Sequence, residues 1–236
     1  MYMKIVKLLF GLSIVVLAAA CSGDKIDYVP ESAKLEYDVN YSEDLKSSGI
    51  AGQFLPRKLS GVYSEEGVKL STTGALGMFK LDVVLTPQKS FVVVDLEDQH
   101  MMMELNQILN DMATVSTDSF VTILNDDTLF EIAGWHSKLM TLNCNTKEKL
   151  GNDLKISVFY VPADFEREFK FVENAPMTKI PGMITAMSIQ LGVSNVLATL
   201  NNVEDTKVEP SNFFEPRNCR NVSLAEVDSL FNKYMK

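Results

Sequence analysis

Short apolar segments that alternate with polar residues recur along most of this chain. In the clearest one the apolar residues are spaced by two, at Leu35, Tyr37, Val39 and Tyr41. This period places one face of a strand on a core and the other in water. Comparable β-rich segments, separated by short turns, occur at residues 58–64, 68–72, 78–85, 90–96, 120–124, 139–142, 154–161, 169–172, 183–191 and 196–203. Strands joined by short turns pair antiparallel, because parallel pairing needs long crossovers, and a sheet this wide must curl or close.

Two segments predict helices. Residues 101–113 favour a helix through Met, Leu, Glu and Gln although their neighbours resemble strands, so we predict a helix from about Glu104 and leave 101–103 open. Near the end, Ser223 and Glu226 form a capping box. Apolar residues then follow at helical spacing: Leu224, Val227, Leu230, Phe231 and Tyr234. The sequence therefore predicts a mainly β (α+β) fold, a curved antiparallel sheet that packs against helices and ends in a C-terminal amphipathic helix.

The first two dozen residues predict the location of the protein. Lys4 and Lys7 precede an apolar run over residues 8–20, which is too short to span a bilayer as an ordinary helix. The run ends in Leu17-Ala18-Ala19-Ala20-Cys21, a lipoprotein cleavage box in which the leucine lies one position earlier than usual. We predict a signal peptide over 1–20, lipidation of Cys21, a tether over 21–32 and a single domain over 33–236. The alternative is a secreted protein without an acyl anchor.

Charge and cysteine content limit the partners. Loss of Lys4 and Lys7 with the signal peptide changes the formal charge from −9 to −11, which argues against nucleic acid and anionic headgroups as partners. With Cys21 acylated, Cys144 and Cys219 form an even pair in an oxidising compartment, where a disulfide could persist. The alternative is two buried, unpaired thiols.

The sequence carries no catalytic or metal-binding signature. Its two histidines, His100 and His136, lie outside any zinc-binding spacing, and no nucleophile elbow or phosphate-binding loop is present. Acidic clusters at residues 125–127 and 164–168 lack the ligand alternation and turn glycine of a calcium loop. We expect no enzyme activity, no cofactor and no metal.

Methionine is abundant, with twelve residues in the chain. Flexible thioethers suit a surface that accepts apolar partners of variable shape, and they also fill irregular cores. Trp135, the one tryptophan, is interpreted as a core anchor or a plug at a strand end. If the chain has an apolar ligand site, its candidate residues are Met78, Met102, Met140, Met183, Met187 and Trp135.

Several short motifs resemble those of uncharacterised lipoproteins of Gram-negative bacteria. They are residues 131–138 (Glu-Ile-Ala-Gly-Trp-His-Ser-Lys) and 179–184 (Lys-Ile-Pro-Gly-Met-Ile), with 55–58, 76–79 and 208–216 in the same pattern. The resemblance implies a half-barrel sheet with a helical cover, similar to the lipoprotein carriers and acceptors of the Lol pathway, which hold acyl chains between sheet and helices. Ser137 stands where that family usually has Cys. Gly134 and Gly182 are explained by a positive-φ turn or by a close strand approach.

Together these observations predict a lipoprotein on the periplasmic side or surface of the cell envelope, with the outer membrane as its expected membrane. Its membrane contact is lipidated Cys21, and it binds an acyl chain or another apolar ligand in a groove between sheet and helices without catalysis. The alternative is a protein-interaction or scaffold module with a packed core. That module would expose an aromatic patch at Phe213-Phe214 or at residues 165–171.

Overall fold

A computed structural model describes residues 28–47, 55–74, 77–112, 120–144, 154–169 and 178–234. In these ranges the chain forms a twelve-stranded sheet, three α-helices and one 3₁₀ helix. The elements in chain order are β1 (Ala33–Tyr41), α1 (Glu43–Lys46), β2 (Lys58–Ser64), β3 (Gly67–Gly74), β4 (Phe79–Leu85), β5 (Ser90–Leu96), β6 (Gln99–Glu104), α2 (Leu105–Met112), β7 (Phe120–Ile132), β8 (Trp135–Cys144), β9 (Leu154–Phe169), β10 (Thr178–Leu191), β11 (Ser194–Asp205), the 3₁₀ helix (Pro210–Phe213), β12 (Arg220–Asn221) and α3 (Leu224–Tyr234).

The sheet consists of two meanders joined side by side. Its strand order is β12-β6-β5-β4-β3-β2-β1-β11-β10-β9-β8-β7. All neighbouring strands are antiparallel except β12 and β6, which pair in parallel. The joint is the pairing of β1 with β11, where Tyr41 lies opposite Val196. The predicted mainly β fold with an antiparallel sheet is confirmed.

The sheet curls, so that one face encloses the core. Along β1, every second residue from Ala33 to Tyr41 is buried and the residues between them are exposed, as the sequence predicts. Tyr37 of β1 donates a hydrogen bond from its hydroxyl to the carbonyl of Ile184 in β10, at 3.0 Å, although β11 lies between the two strands. Leu70 of β3 and Met183 of β10 border the same small space with three strands between them. We call the enclosed side the inner face.

Two helices pack against the inner face. Helix α2 follows β6 directly and buries Leu105 and Ile108 in the core. Helix α3 buries Leu224 and Val227 there, and Ser223 Oγ accepts the backbone N–H of Glu226 at 3.3 Å. The predicted C-terminal helix and the predicted helix start near Glu104 are confirmed.

The strands differ from the prediction in several places, and β10 begins at Thr178, before the predicted start at residue 183. Residues 101–103, left open between helix and strand, belong to β6, because pairing with β5 overrides the helical preference of methionine. Strands β7 and β8 extend toward each other as far as a tight turn in which Ala133 and Gly134 both have positive φ. Strand β9 continues to Phe169 as one long element, and residues 170–172 of the predicted strand over 169–172 lie outside the described residues.

The described part of the predicted tether lies against the sheet. Val29 is buried in the core, the carbonyl of Pro30 accepts the hydroxyl of Tyr63 at 2.8 Å, and Tyr28 donates to Asp205 at 3.0 Å. The chain is therefore fixed to the sheet several residues before β1 begins. The predicted signal peptide and Cys21 lie outside the described residues. Within the described ranges, none of the helices combines the length and apolar character needed to cross a bilayer.

Candidate functional site

The inner face is the candidate site for an apolar ligand. Antiparallel pairing aligns Met140 of β8 with Val158 of β9, and Val158 with Met187 of β10. Residues directly opposite each other in a sheet share a face, so this row lies across three strands of the inner face. Met183 lies near the start of the same β10 segment, and all four of these residues are buried in the core. Met140 and Met187 are thus the two predicted ligand residues that share this row, whereas a register shift between Ile184 and Ala186 separates Met183 from it.

The remaining predicted ligand residues are placed elsewhere. Trp135 begins β8 and packs half-buried against the core, as expected of a plug at a strand end. Met102 is buried on the opposite face of the sheet, in a separate cluster with Val84 and Phe91. Met78 is 41% exposed next to the start of β4. The six residues thus do not form one site, because strand register sends Met102 to the other side of the sheet.

Between β1, β2, β3 and β10 the inner face is almost filled by side chains. The space bordered by β1, β2, β3 and β10 has a volume of about 20 Å³, which is close to the room needed by one water molecule. Burial in this apolar interior raises the pKa of Tyr37 and of Tyr41 well above the usual value for tyrosine. The Tyr41 hydroxyl donates to the Pro56 carbonyl at 2.7 Å. Both tyrosines thus remain neutral donors that tie the inner face together.

The outer face of the sheet carries a second feature, a segment that crosses it. Residues 206–219, which we call the strap, connect β11 near the middle of the sheet to β12 at its edge. Val208 and Phe213 of the strap are buried against Val84, Phe91 and Val93. Ser32 fixes the start of the strap: its hydroxyl donates to the Thr206 carbonyl at 3.0 Å and accepts the Val208 N–H at 3.0 Å.

A cleft of about 430 Å³ lies between the strap and strands β3 to β6, within the size range of small-molecule sites. Asp82, at the cleft, is almost fully buried and accepts Lys69 and Lys80 on one oxygen, at 2.9 and 2.8 Å. Burial by itself would raise the pKa of Asp82, but the hydrogen bonds from Lys80 and Lys69 outweigh it and hold that pKa below its usual value. This carboxylate therefore remains charged and keeps both lysines in place.

Other polar groups complete the cleft. His100 contacts Asp95 at 2.9 Å across β5 and β6, and Arg217 extends from the strap. The thiol of Cys219 also borders the cleft, and burial together with the nearby charge of Asp95 raises its pKa. Of these residues, only His100 and Cys219 are singled out by the sequence.

The sequence leaves Cys144 and Cys219 open between a disulfide and two unpaired thiols, and of these two residues the structure describes only the side chain of Cys219. Cys219 is a free thiol, and it belongs to the segment beside β12 at one edge of the sheet. Cys144 ends β8, next to the opposite edge in the strand order, and only its backbone is described. Within the described ranges, no group of three or more His, Cys, Asp or Glu side chains is placed to hold a metal ion.

A comparison with solved structures finds several proteins that are similar to this chain. The lipoprotein LppX of Mycobacterium tuberculosis is 10% identical, with 76% of this chain and 89% of that chain covered and a TM-score of 0.38. A LolA superfamily protein of Nitrosomonas europaea is 10% identical, with 80% and 93% covered and a TM-score of 0.37. LprF of Mycobacterium bovis is 9% identical, with 88% and 94% covered and a TM-score of 0.32. These similarities transfer no ligand and no residue role to this chain. No protein-family model matches the chain, and no curated protein matches it.

Proposed function

We propose that this chain is a lipid-anchored protein of the bacterial cell envelope that binds an acyl chain or another apolar ligand on the inner face of its sheet and does not transform it. The observation that carries the proposal is the continuous inner face. One curled sheet presents a single apolar surface from β8 to β6, with the Met140–Val158–Met187 row at one side. A surface of this kind, lined by adaptable thioethers, suits a long apolar chain of variable shape.

Binding there requires that a cover moves, because the space between β1, β2, β3 and β10 holds only about 20 Å³. Helix α3 is the element suited to this movement. It is preceded by β12, a strand of two residues, and its central inward contact is the fully buried Val227. Farther along, Leu230 and Phe231 are only partly buried. Outward movement of α3 would uncover the part of the inner face around Phe79, whose ring packs edge to face on Phe231 with centroids 5.3 Å apart.

Photocrosslinking tests this proposal in the full chain, held in membrane discs. The probe is palmitate with a diazirine at the end of its chain, and peptide mapping locates the adducts. We expect adducts on the inner face around Phe79 and on β8 to β10, and native mass spectrometry of gently purified protein should detect a co-purifying acyl species. Absence of both adducts and co-purifying lipid would overturn the proposal.

Two variants of α3 test the cover. Val227→Ala removes the buried inward contact, whereas Ser229→Ala truncates an exposed residue of the same helix. We expect Val227→Ala to raise the rate of adduct formation several-fold, because a loosened helix uncovers the inner face more often, and Ser229→Ala to leave it unchanged. Equal rates in the two variants would exclude α3 as the cover.

Anchoring rests on the sequence around Cys21. Intact-mass analysis of the membrane-extracted chain should show loss of residues 1–20 and an added acyl mass on Cys21. The variant Cys21→Ala should then lose the acyl mass and leave the membrane fraction. An unmodified Cys21 in a membrane-free protein would refute the anchor but leave inner-face binding to be judged by its own assay.

A second candidate function, a protein-interaction module of the envelope, is favoured by the filled interior. Its predicted aromatic patch is present only in part: Phe214 is 68% exposed, but its neighbour Phe213 is buried, and the side chains of residues 165–171 lie outside the described ones. A photoreactive phenylalanine analogue at position 214 should then give a single discrete protein adduct in native membranes. The same analogue at exposed Val193 is the control.

A further inference from the structure

We propose that the cleft beneath the strap is a second binding site, separate from the inner face, for a small amphiphilic anion: one carboxylate-like headgroup on a compact apolar body. It lies on the opposite side of the sheet from the site of the proposed function. Its ligand therefore reaches it without any movement of α3. The proposal depends on the volume, the charges and the apolar floor of the cleft.

The charges around the cleft favour an anion. Lys69, Lys80 and Arg217 provide three positive charges, against the two carboxylates of Asp82 and Asp95. The surplus is local, since the chain as a whole has a formal charge of −9. A positively charged recess in an acidic protein concentrates anions at that point.

Arg217 is the group suited to hold the headgroup. The two lysines already share one oxygen of Asp82, whereas Arg217 of the strap is an exposed residue that borders the cleft. A guanidinium binds a carboxylate through two parallel hydrogen bonds, and Lys80, whose side chain is 45% exposed, can add a third donor.

The floor and rim favour an apolar body. Beneath the strap, the floor consists of Val84, Phe91 and Val93, which are buried residues of β4 and β5. Phe214 lies at the rim of the cleft and is 68% exposed. A large aromatic side chain left in water beside an apolar floor gains contact area when a flat or aliphatic ligand fills the space.

The native thiol of Cys219 provides a readout confined to this cleft. The full chain in membrane discs is treated with iodoacetamide, and peptide mass spectrometry follows the alkylation of Cys219. Three probes are compared: 2-naphthoate, its neutral analogue 2-naphthamide, and inorganic phosphate. We expect 2-naphthoate to protect Cys219 at concentrations about tenfold lower than either of the others, because only it combines an anionic head with an apolar body.

Substitutions in and outside the cleft decide the proposal. Arg217→Gln should raise the concentration of 2-naphthoate for half-protection about tenfold, whereas Arg57→Gln, the same charge change at an exposed residue outside the cleft, should not alter it. Phe214→Ala should weaken protection by 2-naphthoate. Equal protection by 2-naphthamide or by phosphate, or equal effects of the two arginine variants, would overturn the proposal. Neither outcome bears on inner-face binding, which is read from adducts around Phe79 and on β8 to β10.

Discussion

The neighbouring residues Phe213 and Phe214 test how the strap is held on the sheet. The same substitution to alanine removes a buried anchor at Phe213, which is 4% exposed, and a solvent-exposed ring at Phe214, which is 68% exposed. Phe→Ala changes in a core lower the free energy of unfolding by about 3–5 kcal/mol. Because the strap lies at the surface and can relax into the gap, we expect Phe213→Ala to fall at the low end of that range. Phe214→Ala should stay within about 0.5 kcal/mol.

Thermal unfolding followed by circular dichroism measures the difference. For a domain of this size about 1 kcal/mol corresponds to about 2–4 °C, so Phe213→Ala should lower the melting temperature by about 6–12 °C and Phe214→Ala by less than about 2 °C. Alkylation of Cys219 is the second readout, because a released strap exposes that thiol. If the two variants share one melting temperature and one alkylation rate, Phe213 does not anchor the strap.

Three further predictions concern buried polar groups. Tyr37→Phe removes the hydrogen bond to the Ile184 carbonyl and should cost about 1–3 kcal/mol in urea unfolding, whereas Tyr28→Phe, which loses an exposed bond to Asp205, should cost little. Asp82→Asn should destabilise the fold at pH 7. Because the pKa of Asp82 is lowered in the folded chain, the difference in stability between the variant and the original chain should shrink as pH falls through and below 3.8. A difference in stability that persists at low pH would contradict the ion-pair role. Because the pKa of Cys219 is raised in the fold, its alkylation near pH 8 should be slower than in the urea-unfolded chain, and equal rates would contradict the burial of this thiol.

Local patterns in the sequence predict much of the fold but little of the candidate site. The alternation at Leu35 and Tyr37 identified β1 and its inner face, and the capping residues Ser223 and Glu226 located α3. The two alternatives for the motif glycines are resolved by geometry. Gly134 has a φ of +82° in the β7–β8 turn, whereas a Cβ on Gly182 would lie 1.9 Å from the carbonyl oxygen of Val161. Ser137 is fully buried, and its hydroxyl lies 2.6 Å from the Thr185 hydroxyl.

The sequence also indicates that β5 is covered on its outer face, although it does not show which segment covers it. In β1 a polar residue follows each apolar one, but β5 runs Phe91-Val92-Val93-Val94 without interruption. Uninterrupted apolar strands are typical of sheets covered on both faces. Strand β5 is indeed buried on both faces. Phe213 and Val208 of the strap cover its outer face, whereas the outer face of β1 is exposed to water. What covers β5 depends on the path from β11 to β12, a long-range feature that no local pattern encodes. The cleft residues were missed for the same reason: Lys69, Lys80 and Arg217 are solvated charges in the sequence, and only the crossing of the strap brings them to one recess.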